Sequence, residues 1–552
     1  MGVRIIEKNG SAYAYPLLIK HLLSSSLRYG PGQEIIYGDA HRYTYREFTR
    51  RVAKLAHALG DIGVRPGDTV AVLDWDSHRY LECYFGVPML GAVLHTVNFR
   101  LSPEQIAYTV NHAEDDVIIL HRDFIPLFKQ IRPYLDSDQK VIVISDGQDV
   151  DGWDGGQVCE YEKLLAGKDS EYIFPDFDEN AAATLFYTTG TTGRPKGVTF
   201  SHRQVVLHTY GFMSGLCAFR GYAPIDSGDV YMPITPMFHV HAWGMPYLFT
   251  MLGAKQVYLG RYEPAKILSM IEREGVTFSH CVPTIMQMIL SDPAAAATDL
   301  SKWKVLIGGS ALSKGLCREA AGRGINIFSA YGMSETCPLV TIATPKLHMQ
   351  NWSEEQMLEI RTRTGLPAPL VDVEIIDSDG IPLPHDGKQK GEIVVRSPWL
   401  AQAYYKEPDK SDELWRDGWL HTGDVATIDE EGYLQITDRI KDVIKTGGEW
   451  ISSLELEDLI SRHEAVGEVA VIGVPHDKWG ERPLALVVIK PGMDESVSET
   501  DIISFIETFV AEGVLPKYGI PDRVLLVETI AKTSVGKLDK KLLRKQHGST
   551  QS

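Results

Sequence analysis

The sequence lacks several features that mark particular classes of protein. Its 6 cysteines among 552 residues show no C-x-x-C spacing, which disfavours a disulfide framework or a zinc ribbon and favours reduced thiols. The apolar runs, such as residues 86–97, fall short of the roughly 18 residues that a membrane-spanning helix needs. Residues 1–20 show no secretory pattern. We therefore expect a cytoplasmic protein without integral membrane association.

Positive charge is also scarce. The net charge of -18 disfavours nucleic acid as a partner, because phosphate backbones are bound by clustered Lys and Arg side chains. The one basic run, residues 532–544, is by itself typical of a solvated helix face. An apolar content of 44% with 23% charged residues is ordinary for a globular protein, and the length predicts two or more domains.

The order of apolar patterns predicts an α/β fold. Between about residues 68 and 330, short β-rich runs such as Thr69–Leu73 alternate with amphipathic segments such as Pro264–Glu274, which favours parallel sheets flanked by helices. After Gly365, closely spaced strands with turn signals predict a small antiparallel unit, a distorted β-barrel. From Leu454 onward the pattern predicts a compact α+β domain, with the boundary in the charged stretch 438–442.

A loop rich in glycine and threonine carries the main functional signal. Residues 187–198 (YTTGTTGRPKGV) combine three glycines, four threonines and Lys196 after an apolar run. Glycines let backbone N–H groups point inward, hydroxyls add donors and lysine adds charge, so the loop predicts polyphosphate binding. It is not a Walker A motif, because Lys196 follows Arg194-Pro195 and precedes Gly197. The loop residues expected to bind are Thr188, Thr189, Gly190, Thr191, Thr192 and Lys196.

With five further motifs in order, the chain resembles the AMP-forming acyl-CoA synthetases of the adenylate-forming superfamily, most of all the medium- and long-chain fatty-acid CoA ligases. The motifs are residues 236–243 (PMFHVHAW), 330–336 (AYGMSET), 419–424 (WLHTGD), 438–442 (DRIKD) with 445–450 (KTGGEW), and 533–537 (TSVGK). The resemblance covers about residues 43–544. It implies a large N-terminal domain, 1–438, with two parallel-type sheets and the small barrel, a hinge, 439–441, and a mobile C-terminal domain, 442–552.

The resemblance also implies the chemistry and the residues that perform it. ATP and a small carboxylic acid would form an acyl-adenylate, and CoA would then take the acyl group, with Mg²⁺ as cofactor. Lys537, His239 and Lys196 would be catalytic, and Thr188 and Glu335 would hold the metal. His239 and Trp243 would bind the acid, with Trp243 gating the acyl tunnel.

The remaining expected ligand contacts follow from the same motifs. The nucleotide-binding residues would be Gly309, Ser310, Ser329, Ala330, Tyr331, Gly332, Ser334, Asp424, Arg439, Lys445 and Trp450. Lys441 would be the pivot of the domain motion, and Gly447 and Gly448 would line the path of CoA. Taken alone, His239 is typical of a core histidine, Asp424 of a turn residue and Lys537 of a solvated charge.

The identity of the acid stays open. The apolar segment 245–252 and Trp243 favour a medium-to-long-chain fatty acid by similarity, but His241 stands where long-chain relatives carry Asn. Short, branched, thioether or aromatic acids therefore remain alternatives. A luciferase-like oxygenase shares the motifs, whereas a peptide-synthetase adenylation domain would be followed by a carrier domain. A non-catalytic binding protein would be expected to have lost Glu335 or Lys537. Similar enzymes are often homodimers.

Overall fold

The computed structural model describes most of the chain. The described residues are 3–39, 41–148, 158–188, 194–219, 224–447, 449–490, 492–493, 497–533 and 537–548, without the side chains of Val158 and Trp450.

Two mostly parallel sheets form the larger part of the molecule. In the first, built from described residues between 69 and 201, neighbouring strands are parallel except for the last pair. Its strands, in spatial order, are Val158–Glu160, Lys140–Ile144, Asp115–His121, Thr69–Leu73, Val93–Thr96, Ala182–Thr188 and Lys196–Ser201.

The second sheet draws its strands from a wider span of the chain. Its central strands are parallel and its outer pairs are antiparallel. In spatial order the described strands are Leu366–Pro367, Leu339–Ile342, Asn326–Gly332, Lys304–Ile307, Phe278–Cys281, Val230–Tyr231, Lys255–Tyr258, Glu34–Tyr37 and His41–Thr44.

One hydrophobic cluster lies between these sheets and joins them. Because successive strand residues point to opposite faces, Val70 and Val72 belong to the shared cluster while Ala71 and Leu73 pack on the other face of their sheet. In the second sheet, Leu306 joins the same shared cluster as Val70. Its neighbours in strand Lys304–Ile307 pack on the far face. Helices cover both outer faces, as the alternating pattern predicts.

Helix Pro264–Glu274 has the bounds that the 3.6-residue period predicts. The described α-helices are Lys20–Tyr29, Tyr45–Asp61, His78–Met89, Pro103–Ala113, Ile125–Ile131, Tyr161–Leu165, His202–Cys217, Val240–Trp243, Met245–Leu252, Pro264–Glu274, Pro283–Ser291, Lys314–Gly322, Glu354–Thr362, Pro408–Leu414, Ser453–Ser461, Glu499–Ala511 and Lys540–His547. In the described part of the chain, none of them has the length and hydrophobicity to cross a membrane.

Two smaller sheets follow. The antiparallel unit predicted after Gly365 is an open sheet of strands Asp372–Ile376, Gly391–Arg396, Trp415–Arg416, Trp419–Ile428 and Leu434–Arg439. The α+β unit predicted from Leu454 onward contains strands Ile444–Thr446, Glu449–Ile451, Val466–His476, Gly480–Ile489 and Arg523–Leu526. The predicted α/β class with an added antiparallel sheet and a smaller α+β unit is confirmed.

A buried polar network connects the end of strand Leu434–Arg439 to the α+β unit. The Asp438 carboxylate accepts hydrogen bonds from the Ser453 backbone N–H at 2.6 Å and from the Ser453 hydroxyl at 3.0 Å. The Lys540 ammonium group donates to the same hydroxyl at 2.6 Å and pairs with Glu457 at 2.7 Å. Asp438 thus contacts residues beyond the expected boundary at 438.

Candidate active site

The predicted phosphate loop connects two antiparallel strands. Strand Ala182–Thr188 ends at the carboxyl edge of the first sheet, and strand Lys196–Ser201 returns beside it with Thr188 opposite Lys196. Both of these residues are half-buried. Thr189, Gly190, Thr191 and Thr192 lie outside the described residues. The described ends of the loop therefore bring Thr188 and Lys196 together as opposite residues of the two strands.

Lys196 contacts an aromatic ring that leads directly to Glu335. Its ammonium nitrogen lies 4.2 Å from the centre of the Tyr404 ring, within the range of a cation–π interaction. The Tyr404 hydroxyl donates to Glu335 Oε1 at 2.6 Å, and Glu335 is only 7% exposed. Burial lowers the pKa of Lys196, while the charge of Glu335 opposes that shift. The expected metal ligand and the expected phosphate lysine thus lie in one cluster.

A tight turn positions Glu335 after strand Asn326–Gly332. A Cβ atom on Gly332 would lie 1.8 Å from the Pro338 carbonyl oxygen, so only glycine fits there. Ser334 begins the short 3₁₀ turn that carries Glu335. The Ser329 hydroxyl donates to the Arg363 carbonyl. The Ser329 hydroxyl, predicted to contact the nucleotide, is thus bound within the protein.

The Asp424 carboxylate accepts hydrogen bonds from side chains on two different strands. The Tyr331 hydroxyl donates to Asp424 Oδ2 at 2.7 Å, and Arg439 Nε donates to Oδ1 at 3.1 Å. Asp424 and Arg439 are opposite each other in antiparallel register, which explains their proximity although they are 15 positions apart in sequence. Asp424 is 7% exposed. The structure therefore joins two sequence motifs that were predicted to bind one nucleotide.

Lys537 reaches this group from the far end of the chain. A Cβ atom added to Gly309 would lie 3.1 Å from Lys537 Cε, and Gly309 has the positive φ of 82° that glycine adopts readily. The Lys537 N–H donates to the Thr533 hydroxyl at 3.2 Å, and the Thr533 N–H donates to the Lys537 carbonyl at 2.7 Å. Ser310, next to Gly309, is exposed.

Neighbouring groups shift the pKa of Lys537 in both directions. Burial and, to a lesser extent, the positive charge of Arg439 lower the pKa of Lys537 to about 8. The negative charges of Asp424 and Glu335 oppose the shift. The lysine therefore belongs electrostatically to the same cluster as Asp424 and Glu335, although Asp424, the nearer of the two in sequence, lies 113 positions earlier in the chain.

His239 and Trp243 flank an unusual backbone turn. Val240, His241, Ala242 and Trp243 have φ angles of 47°, 56°, 46° and 58°, followed by Gly244 at 76°. Each non-glycine residue in this left-handed conformation costs roughly 1–2 kcal/mol. Such strain persists only where surrounding contacts determine the conformation, and it is concentrated at functional sites.

The two predicted acid-binding residues lie on different sides of the cluster. Burial, together with the charges of Lys537 and Arg100, lowers the pKa of His239 to about 3, so its imidazole is neutral at physiological pH. Trp243 is 4% exposed, and its indole packs so closely on Gly308 that a Cβ there would lie 2.9 Å from it. Trp243 also lies 5.1 Å from the His280 ring.

His241 points into an aromatic cluster rather than toward the charged groups. Its ring centre lies 5.4 Å from that of Phe186 and 6.1 Å from that of Tyr247. Burial lowers the pKa of His241 to about 3. Its Nε2 atom has no hydrogen-bond partner among the described residues. The side chain is therefore a neutral, buried polar group with unused hydrogen-bonding capacity.

The residues expected to bind CoA and part of the nucleotide lie on the α+β unit. The Lys445 N–H donates to Glu481 at 3.0 Å, and Gly447 packs against the Trp479 ring. Gly448 and the Trp450 side chain lie outside the described residues. Lys441 is exposed, and its charge contributes to the lowered pKa of Lys196.

Two residues near the site were missed by the sequence analysis. Tyr404 links Lys196 to Glu335, and only its pairing with Val198 across a β-bridge brings it there. Arg100 follows strand Val93–Thr96, lies 5.8 Å from the Phe238 ring and donates to the Tyr262 hydroxyl at 2.9 Å. A position just beyond the carboxyl end of a parallel strand was the available signal for Arg100.

Thr188 and Glu335 are of the ligand types that suit Mg²⁺, and they would leave most of its coordination positions to waters and phosphate oxygens. Among the described residues, no group of three or more His, Cys, Asp or Glu side chains could hold a metal. Glu335 presents one carboxylate oxygen beyond the one bound by Tyr404, and Thr188 offers a hydroxyl. Mg²⁺ commonly uses one or two protein ligands together with waters and phosphate oxygens.

The chain resembles known proteins over nearly its whole length. Residues 24–405 match the AMP-binding enzyme family, and residues 455–537 match the AMP-binding enzyme C-terminal domain. The long-chain-fatty-acid–CoA ligase of Thermus thermophilus is 40% identical over 514 residues, covering 92% of this chain and 91% of that enzyme. The 3-methylmercaptopropionyl-CoA ligase of Ruegeria lacuscaerulensis is 38% identical over 543 residues, covering 97% and 98%.

The fold is also found among solved structures. The anthranilate CoA ligase AuaEII, solved in complex with anthranoyl-AMP, superposes with a TM-score of 0.84 at 23% identity, covering 96% of this chain and 98% of that one. At this identity the likeness concerns the fold alone. The family matches and the two relatives confirm the predicted class, an AMP-forming acid–thiol ligase. The chain therefore belongs to the AMP-binding enzyme family.

Proposed function

We propose that this protein is an AMP-forming acyl-CoA synthetase that activates a medium-to-long-chain fatty acid with ATP and transfers the acyl group to CoA. The observation that carries the proposal is the convergence of Lys537 with Gly309, Asp424 and Glu335. Lys537 comes from a separate unit and lies beside a partly buried group of carboxylates. It is therefore suited to a reaction in which negative charge first develops at the site and is later removed.

The first half-reaction needs positioning and charge neutralisation. A carboxylate oxygen attacks the α-phosphorus of ATP, the bond to the bridging oxygen breaks, and pyrophosphate leaves. Lys196 is placed to hold the triphosphate, and Lys537 to offset the charge that grows on the α-phosphate and the attacking carboxylate. His239, neutral at its lowered pKa, can donate or accept a hydrogen bond at the acid without adding charge.

The nucleoside would lie along strand Asn326–Gly332. Ala330, Tyr331 and Gly332 would line the adenine pocket together with Gly309 and Ser310. Each oxygen of Asp424 accepts one hydrogen bond from protein, which leaves lone pairs for the two ribose hydroxyls. Thr188 and Glu335 would hold Mg²⁺, whose role when bound is to neutralise phosphate charge.

The acyl chain would extend past Trp243 into the apolar region. Helix Met245–Leu252, which follows the left-handed turn, is buried along almost its whole length. The sequence similarity to a long-chain-fatty-acid–CoA ligase supports a hydrocarbon chain. The unpartnered Nε2 atom of His241 and the similar identity to a 3-methylmercaptopropionyl-CoA ligase favour a thioether acid as the second candidate.

Thioester formation would require Lys537 to leave. We propose that 1–438 and 442–552 act as separate domains about a hinge at 439–441, with Lys441 as the pivot. Rotation would break the Asp438–Ser453 hydrogen bonds and expose the nucleotide to CoA. Lys445, Gly447, Gly448 and Trp450 would then approach the adenylate. Such a rotation is a hinge motion of the kind that separates two chemical steps.

The proposed substrate class is tested by a panel of acids. ATP–pyrophosphate exchange and CoA thioester formation are measured with saturated acids of increasing length, 3-methylmercaptopropionate and aromatic acids. We expect kcat/KM to be greatest for medium-to-long chains, since each buried methylene contributes about 0.8 kcal/mol. A greater kcat/KM for the thioether acid would favour the second candidate. Exchange without any thioester product would contradict the ligase assignment.

Replacement of Lys537 separates the two half-reactions. We expect Lys537→Ala to reduce acyl-adenylate formation by about 100-fold or more, the usual cost of a lost transition-state charge contact. Thioester formation from supplied acyl-adenylate should change little, because the lysine has left by then. Lys541→Ala, which removes an exposed lysine of the same basic run, serves as the control. Equal losses in both steps would contradict the assigned role.

The lowered pKa of Lys537 predicts a pH profile. The ammonium form is present below pH 8 and is lost as the pH rises through the pKa of about 8. We therefore expect kcat/KM for adenylation, which reports the free enzyme, to fall above about pH 8. Lys537→Arg should move this limb upward, because arginine stays charged. An unchanged alkaline limb in the Arg variant would contradict the assignment.

The hinge predicts a different defect at Lys441. Proline at 441 fixes φ near −65° and removes an N–H group, so rotation about this residue is restricted. We expect Lys441→Pro to slow thioester formation at least about ten-fold while adenylation changes less. Lys441→Ala keeps the backbone free and is the control. Equal slowing of both steps, measured by single-turnover kinetics, would exclude a hinge at this position.

A further inference from the structure

The segment that carries His239 into the site is fastened by the other sheet. Residues 236–239 follow strand Val230–Tyr231 of the second sheet, yet their backbone is bound by Asp76 and Thr96 at the carboxyl edge of the first sheet and by Tyr84 on helix His78–Met89. The Asp76 carboxylate accepts from the Met237 N–H at 2.8 Å. The Thr96 hydroxyl donates to the Phe238 carbonyl at 2.9 Å, and the Tyr84 hydroxyl donates to the Met237 carbonyl.

Asp76 is the charged member of this set and is itself tightly held. It is 6% exposed, and its own carbonyl accepts from the Gly260 N–H at 2.8 Å. Its Oδ1 atom binds Met237, whereas Oδ2 has no hydrogen-bond partner among the described residues. Burial raises the pKa of Asp76 to about 7, and the Met237 N–H and the charge of Arg100 oppose this shift. Burying a carboxylate with one oxygen unpaired is costly, so its position needs a structural reason.

The reason lies in the strained backbone turn that follows residues 236–239. Val240 to Gly244 adopt left-handed angles immediately after the fastened residues, and such a conformation needs neighbours that determine it. The hydrogen bonds to Met237 and Phe238 fix the chain just before the turn, so they fix where His239 and Trp243 project. A loose segment would let the turn relax and displace both side chains.

We infer that Asp76 is a positioning residue for acid activation, which acts through the Met237 N–H to hold His239 and Trp243 in place. The inference rests on the function proposed above. Asp76 does not contact the reacting groups. Its effect is on the acid rather than on ATP, because the nucleotide cluster of Tyr331, Asp424 and Arg439 is built on other strands.

Two substitutions at Asp76 distinguish loss of the hydrogen-bond acceptor from loss of the charge alone. Asp76→Ala removes the acceptor, and we expect kcat/KM for the acid to fall about ten- to hundred-fold, the range caused by misplaced groups. KM for ATP should stay within about two-fold, since the nucleotide contacts are untouched. Asp76→Asn keeps an oxygen that can accept from Met237 and should restore kcat/KM to within about three-fold of the wild-type value.

A matched control is available two residues earlier. Asp74 is equally buried, but its carboxylate binds the Trp75 N–H and the Ser77 hydroxyl, not the 236–239 segment. Asp74→Asn should therefore leave the acid kinetics unchanged. Thr96→Val, which removes the hydroxyl on Phe238 with little change in shape, should reproduce the acid-specific defect. If Asp76→Ala does not fold, the acid kinetics of Thr96→Val test the inference in its place.

Hydrogen exchange of residues 237–244 tests the placement without relying on turnover. We expect faster exchange in Asp76→Ala, and wild-type exchange in Asp76→Asn and Asp74→Asn. Unchanged exchange and acid kinetics in Asp76→Ala would overturn the inference, as would a parallel rise in KM for ATP or equal defects in Asp76→Asn. If the wild-type protein adenylates no acid, the proposed function fails, and the exchange data alone then decide the role of Asp76.

Discussion

Balance of charge around Glu335 and Asp424 is the constraint on which the site depends. Lys196, Lys537 and Arg439 lie near these two carboxylates in a partly buried region, where desolvation disfavours each lysine cation. The carboxylates offset that cost, and the Tyr331 and Tyr404 hydroxyls fix their orientation. A bound triphosphate would add negative charge at the same place, so nucleotide binding and protonation of Lys537 would favour each other.

The acid side of the site is built on a different principle. It has neutral imidazoles, aromatic rings and a strained backbone instead of paired charges. His239 is uncharged because it is buried near two cations, and His241 because it is enclosed by aromatic side chains. The shared core between the sheets supplies the rigidity that lets the left-handed turn persist. In the proposed function, substrate selectivity would therefore depend on packing, whereas nucleotide binding would depend on electrostatics.

Much of the fold could be predicted because the apolar period is local. The bounds of Thr69–Leu73 and Pro264–Glu274 agree with the sequence prediction, since alternation and the 3.6-residue period need no knowledge of distant contacts. Tyr404 and Asp76 could not be predicted in this way. Tyr404 contacts Glu335, 69 positions away in sequence, and Asp76 contacts Met237, 161 positions away. Neither Tyr404 nor Asp76 lies in a motif that indicates its partner.

The sequence by itself determined the α/β architecture and the class of chemistry, because each is encoded in short patterns of residue type. Only the tertiary structure decided that Lys537 meets Gly309, that His239 is neutral, and that the segment before the turn is fastened to the other sheet. These properties arise from burial and from contacts between elements far apart in the chain. Desolvation and hydrogen-bond geometry exist only once those elements have packed together.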